Sequence, residues 1–438
     1  ALSSAASDVY KRQDTTYVLT QHGFARDMEF TLISEENDEV RYQLVSNEET
    51  LKKYPLIALI ILLGAISCFA VASAAPIMTN IANPYMLWLK QGLYYVLGGA
   101  LSYIIYKIGQ DTLYTHIKTL YMVFIVLLIG LAVDHFVYTK LLHIHIVPLA
   151  KFTNGATSWY NIPGFSFQPS EFMKIIMVMY LAKITQEYND HVLIKTTDSE
   201  IQYIIQVMKI SLPPAILIYL QNDSGVMMII MAAVFFVLLS SGMNGNWFLF
   251  ILVIAVVGVL GMAYLFIYQN GVFTSIISGH KLDRIYGWLD PEGTTGNQGL
   301  QSWFAQLSYG TAGWFGHGFR AVVKVFPEGQ TDFIFSVIAT DFGYVGALIT
   351  LLAIAAFDIT ILNIGLKSDN IRDKTFIMGT FGCLIFQQTW NIGMILGLLP
   401  ITGITLPMLS YGGSSLLSYM FAIGIIIDID YLFFIPFH

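Results

Sequence analysis

Residues 327–357 read PEGQTDFIFSVIATDFGYVGALITLLAIAAF, and this stretch decides the class of fold. Two carboxylates, Glu328 and Asp332, stand directly before an apolar run that is long enough to cross a bilayer as a helix. Two interpretations of Asp332 are open from these letters alone. Its side chain can cap the N-terminus of the helix, or it can perform chemistry at a membrane surface.

The composition of the whole chain is that of a membrane protein. Of its 438 residues, 55% are hydrophobic and 12% are charged. Soluble domains carry about 25% charged residues, so the usual solvated surface is missing. Residues 1–50 contain ten acidic and four basic side chains, which account for −6 of the formal net charge of −7. The remainder is nearly neutral, which excludes the basic surface that nucleic-acid binding requires.

The apolar runs predict an all-α integral membrane fold with ten transmembrane helices. We expect spans at residues 55–75, 84–107, 117–134, 169–186, 207–221, 224–240, 247–268, 331–362, 375–397 and 405–434. The fifth and sixth runs are two spans or one span with a broken middle, because the short segment QNDSG separates them. We expect a membrane domain at residues 55–435, with a large ordered extracellular loop at residues 269–330.

The remaining domain is an acidic N-terminal tail, residues 1–54, which forms either a small strand pair or no fixed structure. Its first 13 residues lack the apolar segment of a signal peptide, so we expect a processing remnant or other non-native sequence there. Lysine and arginine residues mark cytoplasmic loops. With the N-terminus in the cytoplasm, the inner loops hold ten such residues and the short outer loops three. Both termini are therefore predicted to be cytoplasmic.

Two groups of charges break the expected pattern of a membrane protein. The outer loop contains four cations, Lys281, Arg284, Arg320 and Lys324, which suggests an anionic substrate. Glu171 and Lys174 stand three residues apart and so share one face of the fourth span. They either form an internal ion pair or place a lysine where it can meet a lipid-linked phosphate. Asp223, in QNDSG, is predicted to cap the following helix.

Three stretches of the sequence resemble one family of membrane proteins. They are QPSEFMKI at residues 168–175, FPEGQTDFIFSVIATDFGYVG at 326–346 and NIGMILGLLPITGITLPMLSYGGSS at 391–415. Together they resemble the SEDS family, whose members include RodA, FtsW and SpoVE. The last stretch is close to a signature of that family and leans towards its RodA-like elongation branch. The resemblance covers residues 55–435.

The resemblance implies a peptidoglycan glycosyltransferase that polymerises lipid II at the outer face of the bacterial cytoplasmic membrane, for cell elongation or division. It implies that Asp332 is the catalytic aspartate, the base that accepts the proton of a sugar hydroxyl. It also implies a divalent cation, Mg²⁺ or Mn²⁺, for which we expect Glu328 as a ligand, and no organic cofactor. The residues expected to bind substrate are Glu171, Lys174, Arg284, Gln298, Arg320, Lys324, Ser410, Gly412 and Ser414.

The partners that the resemblance implies are lipid II, the lipid bilayer, a class B penicillin-binding protein and other elongation or division machinery, without nucleic acid. Two functions of other classes stay open beside the polymerase. A flippase for lipid-linked precursors would need its midplane charges and would not need the outer loop. A scaffold that recruits a penicillin-binding protein would tolerate the substitution Asp332→Asn.

Overall fold

The computed structural model describes residues 8–12, 15–19, 31–36, 39–43, 55–78, 83–153, 155–277, 279–294 and 299–432. Within these ranges, six helices are long and apolar enough to cross a membrane, and a seventh apolar helix is shorter. The all-α membrane-spanning fold class is therefore confirmed. Three further helices of at least 22 residues are less apolar. The count of ten spans stays a prediction, although ten long helices occupy the predicted positions.

The fourteen α-helices of the described ranges are α1 Pro55–Ala74, α2 Leu87–Ile108, α3 Gln110–Thr115, α4 Ile117–Phe136, α5 Pro169–His191, α6 Thr197–Leu220, α7 Ser224–Ser240, α8 Gly245–Tyr268, α9 Asn270–Ile276, α10 His280–Leu289, α11 Gly299–Gly310, α12 Ile334–Lys367, α13 Ile371–Ile395 and α14 Gly413–Leu432.

Short strands occur in two parts of the chain. In the acidic tail, β1 Asp8–Arg12 pairs with β2 Thr15–Leu19, and β3 Thr31–Glu36 pairs with β4 Glu39–Gln43, both antiparallel. Between α4 and α5, an antiparallel sheet contains β5 Ala150–Thr153, β6 Ala156–Ile162 and β7 Phe165–Phe167. Strand pairs thus form in the tail. The boundary at residue 54 stays a prediction, since residues 44–54 lie outside the described ranges.

The segment QNDSG separates two helices and does not interrupt a single one. Asp223 caps α7, because its Oδ1 accepts a hydrogen bond of 3.2 Å from the amide of Val226. The tenth span, in contrast, was predicted to begin too early, since α14 begins at Gly413 and not at residue 405. Met408 has a φ of 65°, which no α-helix accommodates. Residues 405–412 therefore form a loop.

The bundle is organised around α13, which packs against α5, α7 and α12. On the other side, α14 packs against α2, and α1 packs against α12. The exception is α8, an apolar helix of 24 residues of which none is buried. Its sequence suits contact with lipid all round, because it is hydrophobic on every face.

Helix α12 is broken at Gly343, which has a φ of 64° and a ψ of −158°. The segment that follows α11, residues 311–318, packs into this break. Backbone groups of this segment form hydrogen bonds with the backbone of α12 that the break leaves without helical partners. The amide of Tyr344 in α12 donates to the carbonyl of Gly313 at 3.1 Å, and the amide of His317 donates to the carbonyl of Thr340 in α12 at 2.9 Å. A side chain at Gly316 would overlap the backbone of Asp341, which explains a glycine there.

Candidate active site

Asp332 lies in the loop of residues 326–333, which leads into α12. Phe333 occupies the N-cap position of this helix and no side chain caps it, so the interpretation of Asp332 as a helix cap is wrong. The side chain is partly buried. In the part of the chain that the structure describes, no group donates a hydrogen bond to its carboxylate. A carboxylate in this state is free to accept a proton.

The backbone on either side of Asp332 is held firmly. The Nδ2 of Asn391, on α13, donates to the carbonyls of Asp332 and Ile404, each at 2.7 Å. The Oγ of Ser410 donates to the carbonyl of Thr331 at 2.6 Å. The loops 326–333 and 396–412 and helix α13 thus form one bonded unit, which fixes the position of the carboxylate.

Glu328 is the acidic neighbour of Asp332 and has an unusual backbone, with a φ of 59°. The hydroxyl of Thr331 donates to its Oε2 at 2.6 Å, which orients the side chain. The charge of Glu328 also raises the pKa of Asp332. The sequence therefore brings two carboxylates of the same loop close enough to influence each other.

Arg284, on α10, is the predicted cation whose charge reaches Asp332. Its Nη1 donates to the carbonyl of Thr402 at 3.1 Å. Its Nε is buried and has no hydrogen-bond partner among the described residues. One turn further along α10, the indole of Trp288 donates to the carbonyl of Gly397 at 2.8 Å. Helix α10 is thereby attached to the loop 396–412, and it carries a cation to the Asp332 site.

The pKa of Asp332 is raised from its ordinary value to about 7. The largest cause is desolvation by burial, and the negative charge of Glu328 adds to it. The positive charge of Arg284 acts in the opposite direction. Near neutral pH the carboxylate therefore exchanges a proton easily, as a general base requires.

Glu171 and Lys174 form the ion pair that their spacing predicted. The Nζ of Lys174 is 2.7 Å from the Oε2 of Glu171 and donates to the Oε1 of Gln387 at 3.1 Å. The ring of Tyr419 lies 4.3 Å from the ammonium, and its hydroxyl donates to Gln387. Lys174 is 0% exposed. The role of this pair in substrate binding stays a prediction.

The polar groups next to α13 form two clusters. The paired cluster consists of Glu171, Lys174, Gln387 and Tyr419. The open cluster consists of Arg284, Glu328, Asp332 and Asn391. The two meet on α13, where Gln387 and Asn391 are one helical turn apart.

The predicted residues of the last motif hold the loops together. Ser414 accepts from the amide of Gln168 at 3.0 Å and donates to the carbonyl of Ser166 at 2.7 Å. The amide of Gly412 donates to the Oε1 of Gln91 at 3.4 Å. Together with the bond from Ser410 to the Asp332 loop, these hydrogen bonds hold the loops around the site in place. Substrate contact by the three residues stays a prediction.

The other predicted cations lie elsewhere. Arg320 bonds through its backbone amide to the Oδ2 of Asp341 at 2.9 Å and through its Nε to the carbonyl of Ala72 at 3.1 Å. The Nζ of Lys324 lies 5.5 Å from the ring centre of Phe304. Gln298 lies outside the described residues. The structure therefore brings Arg284, Glu328 and Asp332 together but not Arg320 or Lys324.

Sequence reasoning missed two residues of the site. Asn391 opens the quoted stretch NIGMIL, but nothing in the letters indicates that it binds the backbone of Asp332. Its Oδ1 is buried without a partner among the described residues. Gly403 has a φ of 76°, and a Cβ at this position would lie 3.5 Å from the Oδ2 of Asp332. The glycine of PITGIT was a readable signal for a close approach.

The described residues contain no cluster of three or more histidine, cysteine, aspartate or glutamate side chains that could hold a metal ion. The two carboxylates of the open cluster are a smaller donor set. Magnesium is commonly bound by one or two carboxylates together with the phosphates of a substrate. The residues present therefore fit an ion that protein and substrate hold jointly.

The chain is similar to known proteins along most of its length. The family model of FtsW, RodA and SpoVE, described as "Cell cycle protein", matches residues 53–432. A probable peptidoglycan glycosyltransferase FtsW of Dichelobacter nodosus (strain VCS1703A) is 30% identical over 348 residues, which are 78% of this chain and 80% of that protein. Stage V sporulation protein E of Bacillus subtilis (strain 168) is 31% identical over 63% of this chain and 72% of that protein.

Two solved structures have the same fold. One comes from work on the structural coordination of polymerization and crosslinking by a peptidoglycan synthase complex; its TM-score is 0.66, with 24% identity over 87% of this chain and 98% of that chain. The other is the rod shape determining protein RodA of Thermus thermophilus, with a TM-score of 0.60 and 23% identity over 87% and 98% of the two chains.

Proposed function

Because the chain belongs to the FtsW, RodA and SpoVE family of cell cycle proteins, we propose that it is a peptidoglycan glycosyltransferase that polymerises lipid II. The observation that carries the proposal is the state of Asp332. Its carboxylate is held on a fixed loop beside Arg284, and its pKa is raised to about 7. Relatives named as probable peptidoglycan glycosyltransferases support the reaction class.

In the proposed reaction, a sugar hydroxyl of one lipid-linked substrate attacks the anomeric carbon of the other. A bond forms between the hydroxyl oxygen and that carbon, while the bond from the carbon to the polyprenyl pyrophosphate breaks. Asp332 accepts the hydroxyl proton, and the pyrophosphate leaves with the electron pair. A positioned base contributes typically 10²–10⁴-fold to such a step. The partial burial of Asp332 raises its pKa to about 7, so the base can accept and release a proton near neutral pH.

The negative charge of the leaving pyrophosphate needs a cation to stabilise it. Arg284 is the cation of the open cluster. Its buried Nε has an unused hydrogen to donate. We also propose that Glu328 helps to hold a divalent cation, Mg²⁺ or Mn²⁺, together with the substrate. When bound, this ion would stabilise the negative charge of the pyrophosphate. No organic cofactor is part of the proposal.

We place the protein in the bacterial cytoplasmic membrane, with its N- and C-termini in the cytoplasm and Asp332 at the outer face. The distribution of lysine and arginine between loops supports this orientation. We also propose a class B penicillin-binding protein as partner, within the elongation or division machinery. The structural likeness to a protein from a peptidoglycan synthase complex supports a partner. The RodA-like branch stays a prediction, since the reported curated relatives are FtsW and stage V sporulation protein E.

The two alternatives are less well supported. A flippase would need charges that a substrate can reach inside the bundle, but Lys174 is fully buried in an ion pair. A scaffold would have no use for an aspartate whose pKa is raised to about 7 next to an arginine. The names of the relatives point to glycosyl transfer and to neither alternative.

The test is lipid II polymerisation by the purified protein, co-expressed with its class B penicillin-binding protein. We expect long glycan strands from the wild type and none from Asp332→Asn. Equal product from both proteins would remove Asp332 from catalysis. If neither protein makes product while both translocate lipid II in vesicles, the chain is a flippase and the proposal fails.

A further inference from the structure

A groove with a volume of about 690 Å³ lies between α1, α2 and α14, away from the open cluster. Its lining is apolar and includes three small residues, Gly64 and Ala65 on α1 and Gly99 on α2. A Cβ at Gly99 would meet no atom within 4 Å, so this glycine borders open space. The groove opens at the surface of the bundle, because its lining residues Ile61, Val96 and Tyr103 are exposed.

Residues at one end of the groove also hold in place the loop that contacts the Asp332 loop. Tyr95, which lines the groove, donates its hydroxyl to the carbonyl of Met408. Ser67, next to the lining residue Cys68, donates to the carbonyl of Leu409 at 2.7 Å. Both carbonyls belong to the loop 405–412, whose Ser410 bonds to the Asp332 loop. A ligand that leaves this end of the groove therefore arrives at the loops of the site.

The depth of the groove selects the kind of chain that can fill it from this end. From Ile77, in the 3-10 turn that follows α1 and next to Gly329, nine residues of chain lead down to Cys68, which is about 14 Å at 1.5 Å per residue. The groove then continues to Ile57, about 17 Å further. Half of a hydrocarbon core is about 15 Å. Most of the groove thus lies beyond the midplane, out of reach of an ordinary acyl chain anchored at the Asp332 side.

We propose that this groove binds the polyprenyl chain of a lipid-linked substrate whose sugar lies at Asp332. A polyprenyl chain is longer than one leaflet, so its far part needs a place in the opposite half of the bilayer. The groove offers that place and fixes the chain relative to the catalytic loop. The inference rests on the proposed function, since it supplies the binding site for the lipid part of the same substrate.

A matched pair of glycine substitutions tests the groove by kinetics. Gly99→Phe fills it, whereas Gly258→Phe adds the same side chain on α8, where a Cβ also meets nothing within 4 Å. We expect Gly99→Phe to raise the KM for lipid II at least tenfold with kcat within twofold, and Gly258→Phe to change neither. Equal KM values for the two variants, or a rise in Gly258→Phe alone, would overturn the proposal.

A second measurement detects the chain without turnover. Cys68 lines the groove, while Cys383, the other of the two cysteines, is 0% exposed. In Asp332→Asn protein, we expect undecaprenyl phosphate to slow the reaction of Cys68 with N-ethylmaleimide about tenfold, and Gly99→Phe to abolish that effect of the lipid. Phosphatidylglycerol should have no effect.

The outcomes separate the groove from the reaction. Equal protection by phosphatidylglycerol would make the groove a general lipid site, and no protection by either lipid would leave it without a polyprenyl ligand; both outcomes overturn the inference. Protection by undecaprenyl phosphate in a protein whose wild type makes no glycan would overturn the proposed function and leave the groove intact.

Discussion

The paired and open clusters share α13 but differ in how their polar groups are satisfied. In the paired cluster, Lys174 has a carboxylate, an amide and an aromatic ring as partners. In the open cluster, the carboxylate of Asp332, the Nε of Arg284 and the Oδ1 of Asn391 have no hydrogen-bond partner among the described residues. Buried polar groups without partners cost stability. The first cluster is complete by itself, whereas a ligand would complete the second.

The strongest test of this contrast is Asp332→Asn, for which activity and stability should separate. We expect polymerisation to fall at least 100-fold, because the base is lost. The melting temperature should not fall, because the substitution removes an unpaired partly buried charge. Glu292→Gln, which changes an exposed acid in the turn after α10, serves as the control and should keep full activity. If the melting temperature of Asp332→Asn is lower than that of the wild type, Asp332 has a structural role.

The paired cluster should respond in the opposite way. Lys174→Met leaves Glu171 buried without its cation, and breaking a buried pair on one side costs about 3–5 kcal/mol. We expect a lower free energy of unfolding in detergent, with much of the loss restored in the double variant Lys174→Met with Glu171→Gln. Normal stability of Lys174→Met together with lost lipid II binding would instead place Lys174 in the substrate site.

Asn391→Ala changes the residue of α13 at which the two clusters meet. It removes two hydrogen bonds to the backbone of Asp332 and Ile404, each of which contributes about 1 kcal/mol. We expect kcat to fall about tenfold with KM nearly unchanged, because the base is displaced and the binding groups stay. A change in KM without a change in kcat would contradict this positioning role.

The pH dependence should give the smallest effect that still separates the clusters. Since the pKa of Asp332 is raised to about 7, the rate should increase with pH up to about 7 and level off above it. Stability should move in the other direction. The raised pKa favours the folded state at low pH, and this advantage is lost as the pH rises from about 4 to about 7. The melting temperatures of the wild type and Asp332→Asn, plotted against pH, should therefore diverge over this range and run parallel above it.

The helical membrane fold was readable from the sequence, because apolar runs report directly on the solvent around them. Helix ends were readable where a cap is local, as at Asp223. The start of α14 was not, since Pro407 and Met408 lie in a loop that is fixed by distant partners such as Gln330. Residues 405–412 are apolar enough for the sequence to predict the beginning of a transmembrane helix there.

The candidate site was predictable in part. Asp332 and Arg284 were identified through the family resemblance, and the structure brings them together. The role of Asn391 was not predictable, because its contacts join residues 59 and 13 positions away. Arg320 and Lys324 contact Ala72 and Phe304, and their role in substrate binding stays a prediction. The sequence gives the charge of a loop residue but not the direction in which its side chain points.

The broken helix α12 has a consequence for how the protein is made. The segment that satisfies the break, residues 311–318, precedes α12 in the chain and leaves the ribosome before it. Backbone groups without partners are costly in lipid, so α12 cannot settle in the bilayer in its final form until that segment has docked. The order of synthesis supplies the docking segment first, and an insertion between α11 and α12 would delay membrane integration before it impaired any chemistry.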